Sequence, residues 1–273
     1  MKTSIISFVA SLLPIFAQLP AHAQSTASYL PEVEASIVQS WRQKDGTVIS
    51  ALRISMQNGW KTYWRTPGDG GIPPRMEWTG SRNLKRLSAL WPAPRVFVDN
   101  GMTSYGYEDE LLLPMVVTPR TDGKDVVLKG NILIGVCKDI CVPVELSVDE
   151  TVFMDGDSVV SSIAVAMAEQ PFSAKEARVS EVSCRVAPAV DGMSVVAKIK
   201  MPSAGGREYA VIETGNPELW VPEASVSRDG RELTVMSDVI HAEGKPFFLQ
   251  RSDLDITVIG ADYAVTINGC KAG

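Results

Sequence analysis

The sequence predicts an all-β protein, with two β-sandwich domains and one short helix between them. Three observations support this fold class: short apolar runs alternate with a period of two, Gly and Pro clusters separate these runs, and one segment has helical spacing. A chain of 273 residues is long for a single hydrophobic core. We therefore expect one domain over residues 24–172 and a second over residues 173–273.

The N-terminus has the pattern of a secretory signal peptide over residues 1–23. Lys2 provides a positive charge, residues 5–16 form an apolar stretch, and Ala21-His22-Ala23 has the small residues of a cleavage site. The apolar stretch is too short to span a bilayer, and no later segment has about 18 uninterrupted apolar residues. We expect export from the cytoplasm, with no membrane insertion after the signal is removed.

Alternating polarity predicts the strands of both domains. In residues 142–152, for example, Val142, Val144 and Leu146 share one face of a strand. Gly- and Pro-rich stretches such as residues 67–74 predict loops between strands. The predicted strands are 47–56, 111–118, 126–136 and 142–152 in the first domain, and 179–186, 194–201, 208–214, 232–239, 247–251 and 256–267 in the second.

The helix is predicted over residues 157–169. Apolar residues recur there at spacings of three and four, as in Val160, Ile163 and Met167. Either Asp155 or Asp157 is a candidate N-cap, and Pro171 is a stop signal. We expect this helix to close the first domain.

Composition argues against several function classes. The formal net charge of −6 becomes −7 once Lys2 leaves with the signal, so we expect no nucleic-acid partner. Removal of His22 leaves His241 as the one histidine of the mature chain. One histidine is too few for a His-rich metal site or a zinc finger, and it leaves little choice of base for a Cys/His/Asp triad. We therefore expect no cofactor.

Four cysteines remain, in a compartment where disulfides form by default. In a straight strand the Cα atoms of Cys137 and Cys141 would lie about 13 Å apart, which exceeds the limit of about 7 Å for a disulfide. They can bond only if the chain reverses between them. Lys138-Asp139-Ile140 suits a three-residue hairpin loop with the two cysteines at its mouth.

Loop-closure entropy separates the two predicted disulfides. A loop of about five residues between Cys137 and Cys141 removes only about 2 kcal/mol of unfolded-chain entropy. Cys184 and Cys270 would close about 87 residues, for which the same model gives about 4.6 kcal/mol. The second pair therefore suits a structural disulfide that ties the start of the second domain to its end.

Three interpretations of Cys137 and Cys141 follow from the residues. They are a redox-active pair, a second structural disulfide, or two soft thiolates that bind Cu(I), since Pro143 follows them as in copper-delivery proteins. The first makes the protein a thiol–disulfide exchange protein. The other two make it a non-catalytic binding module of the cell envelope.

Four segments in order carry a more specific pattern: NGWKTYWRTPGDGGIPP (58–74), WPAPR (91–95), YGYEDE (105–110) and GVCKDICVP (135–143). Together they resemble the N-terminal periplasmic module of the DsbD/ScsB family of transmembrane thiol:disulfide interchange proteins. In that family the module is an immunoglobulin-like sandwich that passes electrons from a membrane-embedded domain to periplasmic thioredoxin-fold proteins. The resemblance implies that Cys137 and Cys141 are the electron-carrying pair, and their spacing matches the ScsB-like branch.

The full-length family also has a polytopic membrane region and a C-terminal thioredoxin domain, which this sequence lacks. The resemblance therefore implies a separate membrane electron donor of DsbD/ScsB type, together with thioredoxin-fold partners.

Further residues are candidates to shield or tune the pair. Tyr105 and Tyr107 either pack beside the disulfide or are ordinary sandwich aromatics. Residues 67–74, which include Asp69, form either a mobile cap over the pair or a passive connection. Glu108 belongs to an acidic run that either tunes thiol protonation or is a solvated turn.

Overall fold

The computed structural model describes residues 31–273, and the predicted signal peptide lies outside them. The described chain consists mainly of β-strands with one α-helix, as the sequence predicted. The helix is α1 (Ser161–Ala168), and a short 3-10 helix covers Arg251–Asp253. The strands are β1 (Val33–Arg42), β2 (Val48–Met56), β3 (Lys61–Tyr63), β4 (Arg75–Glu77), β5 (Leu84–Ala89), β6 (Arg95–Asp99), β7 (Met102–Glu108), β8 (Glu110–Pro119), β9 (Val126–Cys137), β10 (Cys141–Val152), β11 (Phe172–Ser173), β12 (Glu181–Ala189), β13 (Gly192–Lys200), β14 (Tyr209–Glu213), β15 (Leu219–Trp220), β16 (Ser225–Asp229), β17 (Glu232–His241), β18 (Asp255–Ile259), β19 (Ala264–Asn268) and β20 (Lys271–Ala272).

Strands β1–β10 form two sheets around one hydrophobic core, and we call this part the first sandwich. One sheet has the order β1-β2-β8-β5, and the other has the order β10-β9-β3-β7-β6 with β4 paired to β9. Leu52 and Leu113 from the first sheet pack with Ile134 and Val136 from the second, and all four are buried. This burial of alternate apolar residues explains why the period-two pattern predicted these strands.

Strands β11–β20 form the second sandwich, which has its own core. Its sheets have the orders β11-β19-β18-β14 and β15-β17-β13-β12-β20, with β16 paired to β17. The Cys184–Cys270 disulfide, with Cα atoms 5.6 Å apart, joins β12 to the segment just before β20. Residues 31–273 form one compact unit, and the domain boundary between residues 172 and 173 stays a prediction.

Strand β14 links the two sandwiches because its alternating residues face different cores. Ala210 and Ile212 pack in the core of the second sandwich. Val211, with Tyr209 partly buried beside it, packs against the core of the first. The same alternation directs Glu213 toward the first sandwich.

Three details of the predicted secondary structure are wrong. Helix α1 begins at Ser161, later than predicted, because the chain is still extended at Val160 and at Asp157, which bridges to Trp41. Val160 occupies the N-cap and makes no side-chain hydrogen bond there. Residues 247–251 form no strand. Residues 256–267 contain two strands, because the chain turns at Gly260, whose N–H donates to the carbonyl of Tyr263.

Candidate redox site

The site is built on the hairpin that joins β9 to β10. Cys137 ends β9, Cys141 begins β10, and the two are direct partners in the antiparallel register. They form a disulfide with Cα atoms 4.1 Å apart. Lys138-Asp139-Ile140 makes the predicted three-residue reversal, and the Lys138 N–H donates to the Ile140 carbonyl at 3.1 Å. Two cysteines four apart are thus brought together by the turn alone.

The disulfide lies on the outer face of its sheet. Along β9, Ile132, Ile134 and Val136 point into the core. Successive side chains of a strand alternate between faces, so Cys137 points away from the core. Although it faces outward, Cys137 is fully buried, whereas Cys141 is exposed. A thiol that approaches from solution therefore meets Cys141 first.

Tyr63 covers the buried half of the disulfide. Its hydroxyl oxygen lies 2.9 Å from Sγ of Cys137 and 3.2 Å from Sγ of Cys141. Burial raises the pKa of the Tyr63 phenol, and the nearby Asp99 carboxylate raises it further. The hydroxyl therefore keeps its proton at neutral pH and can donate it in a hydrogen bond to sulfur.

Two glycines make room for the Tyr63 ring. A Cβ atom at Gly135 would lie 3.0 Å from the ring and 2.7 Å from Cβ of Ile72. A Cβ atom at Gly71 would lie 2.9 Å from the opposite part of the ring and 2.3 Å from Cβ of Pro67. The ring is thus clamped between β9 and the loop that precedes β4, and this clamp fixes where the hydroxyl points.

We call residues 67–74 the cap loop. While the disulfide is intact, the Tyr63 hydroxyl donates to the Gly70 carbonyl at 3.2 Å, so one phenol oxygen connects the loop to both sulfurs. The Pro67 carbonyl accepts the Tyr105 N–H at 3.0 Å, which fastens the start of the loop to β7. Gly68 has a φ of +80°, and a Cβ atom there would lie 2.7 Å from the Thr103 carbonyl. The loop is therefore packed closely on the sheet that carries the disulfide.

Tyr105 and Tyr107 lie in the core of the first sandwich. The Tyr107 hydroxyl donates to the Pro92 carbonyl at 2.8 Å, and its ring stacks on Trp91. The Tyr105 hydroxyl is buried and has no hydrogen-bond partner within residues 31–273. Burial raises the pKa of both phenols. Tyr63, which the sequence analysis did not select, is the tyrosine whose hydroxyl contacts the sulfurs.

The two acidic candidates are engaged elsewhere. Glu108 accepts a hydrogen bond from Arg95 at 2.7 Å, and β3 separates it from β9. Asp69 accepts the backbone N–H of Glu223 at 3.2 Å. The charged residue directly beside Cys137 in the register is Lys61, which forms an ion pair with Asp99. A tuning role for Glu108 or Asp69 stays a prediction.

The described residues contain neither a candidate metal cluster nor a helix that could span a membrane. Within residues 31–273, no cluster of three or more His, Cys, Asp or Glu side chains is arranged to hold a metal ion. No helix within this range has both the length and the apolar character needed to cross a bilayer.

Comparisons with known proteins give a family match and a structural match. Residues 26–152 match the family described as thiol:disulfide interchange protein DsbD, N-terminal. The structure is similar to the crystal structure of the N-terminal periplasmic domain of ScsB from Proteus mirabilis, with a TM-score of 0.65 and 20% identity over 88% of this chain and 94% of that one. No curated protein sequence matched the chain.

These comparisons confirm the predicted immunoglobulin-like, all-β fold class. The structural likeness spans both sandwiches, whereas the sequence match covers the first sandwich and ends at Val152, the last residue of β10. The Cys137–Cys141 hairpin lies inside the matched range. Residues 26–152 of this chain, which include both cysteines of the hairpin, are therefore similar to the N-terminal domain of the thiol:disulfide interchange protein DsbD.

Proposed function

We propose that this protein is a periplasmic thiol–disulfide exchange protein that carries electrons on Cys137 and Cys141. Its partners are thioredoxin-fold proteins and a separate membrane electron donor of DsbD/ScsB type. The observation that carries the proposal is a disulfide at the mouth of a hairpin, with one cysteine exposed, the other buried, and the Tyr63 hydroxyl in contact with both sulfurs. The signal-peptide pattern and the family match support the periplasmic location.

In the first step, a donor thiolate attacks Sγ of Cys141, the exposed half. The S–S bond breaks, a mixed disulfide forms between the donor and Cys141, and Cys137 leaves as a thiolate. The second cysteine of the donor, as a thiolate, then attacks the donor's first sulfur in the mixed disulfide. This forms the donor's own disulfide and releases Cys141 as a thiolate. The pair has gained two electrons, and the donor is left with a disulfide.

In the second step, the Cys141 thiolate attacks a disulfide of a thioredoxin-fold protein. The Cys137 thiolate then attacks Cys141, which restores the Cys137–Cys141 bond and releases the reduced partner. The Tyr63 hydroxyl, 2.9 Å from Sγ of Cys137, is placed to donate a hydrogen bond to this thiolate in both steps. In the first step such a bond stabilises Cys137 as the leaving thiolate and so speeds reduction of the pair.

The fold can tolerate opening and closing of this bond. Beyond the cysteines, β9 and β10 continue to pair in register from Val136 and Val142 to Val126 and Val152. A bond that closes a loop of about five residues contributes at most about 2 kcal/mol through chain entropy. The hairpin ladder therefore keeps the two sulfurs near each other when the bond is broken.

Trapping of the mixed disulfide tests the proposal. We expect Cys137→Ser, which keeps the exposed Cys141, to form a stable covalent complex with a thioredoxin-fold protein of the same periplasm. Cys141→Ser, which keeps the buried Cys137, should form much less of it. The complexes are measured by non-reducing gel electrophoresis and mass spectrometry.

Absence of a complex with both variants would contradict the proposal. Stoichiometric Cu(I) binding by the reduced protein without thiol exchange would favour instead the alternative of a non-catalytic binding module. Cys184→Ser serves as the control because it also creates one free cysteine, in the second sandwich.

A further inference from the structure

The second sandwich forms hydrogen bonds with the two residues that precede the cap loop. Arg65 donates from Nε and Nη2 to the two carboxylate oxygens of Glu213, at 2.9 and 2.8 Å. The Thr66 hydroxyl donates to Oε1 of the same carboxylate at 2.6 Å. A bidentate pair of this kind fixes geometry as well as adding energy. One side chain of β14 therefore holds two consecutive residues that lead into the cap loop.

The position of Glu213 follows from strand alternation. Tyr209 and Val211 face the first sandwich along β14, and Glu213 continues this row. Its side chain is 18% exposed, and that of Arg65 is 30% exposed. The ion pair thus closes one end of an apolar contact between the sandwiches, where water reaches it only in part.

A second contact holds the cap loop at its middle. The Asp69 carboxylate accepts the backbone N–H of Glu223 at 3.2 Å. Because this bond uses the main chain of Glu223, it does not depend on the Glu223 side chain. The second sandwich therefore contacts the loop region at residues 65–66 and again at Asp69.

These contacts reach the disulfide through Tyr63. Gly70 follows Asp69 directly, and its carbonyl lies 3.2 Å from the Tyr63 hydroxyl that contacts both sulfurs. Gly71 lies against the Tyr63 ring. The path from Glu213 to the sulfurs thus runs through Arg65, the cap loop and Tyr63.

We propose that Glu213 is a positioning residue for the redox pair, which holds the cap loop on Tyr63 and so limits the approach of thiols to Cys137, the buried half of the disulfide. The inference rests on the proposed function of Cys137 and Cys141. In this proposal the second sandwich controls the reactivity of the Cys137–Cys141 disulfide in the first. Loss of the Glu213 carboxylate frees residues 65–66, loosens the cap loop and exposes the Cys137 sulfur more often.

The test compares reduction rates of the two disulfides in the same full-length molecules. Each variant is mixed with dithiothreitol, quenched with an alkylating agent at intervals, and analysed by mass spectrometry of the cysteine peptides. We expect Glu213→Ala to increase the reduction rate of Cys137–Cys141 about fivefold, as expected for more frequent local opening. Glu213→Gln keeps one acceptor oxygen and should give a smaller increase.

The Cys184–Cys270 bond is the internal control for general unfolding, and its rate of reduction should be the same in the Glu213 variants as in the unmodified protein. Glu223→Gln is the matched charge control, since it removes a nearby carboxylate but leaves the backbone bond to Asp69 in place. Glu208→Gln removes a comparable carboxylate partner of an arginine, Arg228, inside the second sandwich. In both control variants, dithiothreitol should reduce Cys137–Cys141 at the same rate as in the unmodified protein.

Two results would overturn the inference. One is an unchanged Cys137–Cys141 rate in both Glu213 variants. The other is an equal acceleration of both disulfides, since that would show loss of stability instead of a local effect. The trapping experiment with Cys137→Ser does not involve Glu213, so failure of the proposed function is detected separately.

Discussion

Tyr63 and Cys137 meet across neighbouring strands, with the phenol oxygen 2.9 Å from the sulfur. Tyr63 is 3% exposed and Cys137 is fully buried, so the contact is shielded from water. A hydrogen bond in such a setting is stronger than one in solvent. This contact gives the Cys137 sulfur a hydrogen-bond donor that can stabilise negative charge.

Removal of this hydroxyl should slow thiol exchange. Tyr63→Phe keeps the ring between Gly71 and Gly135 but removes the donor to the Cys137 thiolate. Because hydrogen bonds to charged groups contribute about 1.5–3 kcal/mol, we expect reduction of Cys137–Cys141 by dithiothreitol to slow by about tenfold or more. Tyr107→Phe is the matched control, since the Tyr107 hydroxyl bonds to Pro92 instead. Equal rates in the two variants would contradict a role for Tyr63.

Alkaline pH should destabilise the fold. Burial raises the pKa of the Tyr63, Tyr105 and Tyr107 phenols above the ordinary value of 10. A raised folded-state pKa means that the unfolded chain releases its protons first, so stability is full below about pH 10 and falls above it. We expect the urea midpoint to decrease between pH 9.5 and about 11, and to decrease less in Tyr107→Phe. An identical decrease in that variant would exclude Tyr107 as a contributor.

A methyl group at Gly135 should disturb the site. A Cβ atom there would lie 2.7 Å from Cβ of Ile72 and 3.0 Å from the Tyr63 ring. We expect Gly135→Ala to lower the free energy of unfolding by about 1–3 kcal/mol and to speed reduction of Cys137–Cys141, because the cap loop must move. Gly70→Ala is the control, since its nearest contact, at 3.5 Å, is an ordinary one. Unchanged reduction kinetics in Gly135→Ala would show that the clamp is unimportant.

The two disulfides should differ in what they contribute to stability. Loop-closure entropy predicts that loss of Cys184–Cys270 costs about 4.6 kcal/mol and loss of Cys137–Cys141 about 2 kcal/mol. Urea unfolding of Cys184→Ala/Cys270→Ala and of Cys137→Ala/Cys141→Ala, compared with the unmodified protein, measures both values. A larger loss from the second double variant would mean that the hairpin disulfide is the structural one.

The hairpin was predictable because its geometry is local. A disulfide between residues four apart needs a chain reversal, and the alternation on both sides of Lys138-Asp139-Ile140 supplied one. The Cys184–Cys270 pairing followed from the remaining cysteines. Strands such as β2, β9 and β10 were predicted closely because one face of each is buried in a core.

The Tyr63 contact was not predictable, because it depends on register between distant segments. Tyr63 and Cys137 are 74 residues apart in sequence, and β3 has only three residues. Nothing in so short a strand indicates its partner or its register. The partner of Asp69 was not predictable for the same reason, because Glu223 lies 154 residues away in sequence.

The reduction potential of Cys137–Cys141 tests most directly whether this bond is exchangeable. It is measured by equilibrating the protein with dithiothreitol or glutathione couples of known ratio and quantifying both disulfides by mass spectrometry. We expect a potential above about −300 mV for Cys137–Cys141, and a lower one for Cys184–Cys270, the range of structural disulfides. A potential for Cys137–Cys141 well below about −300 mV would make it an inert structural bond and contradict the proposed function.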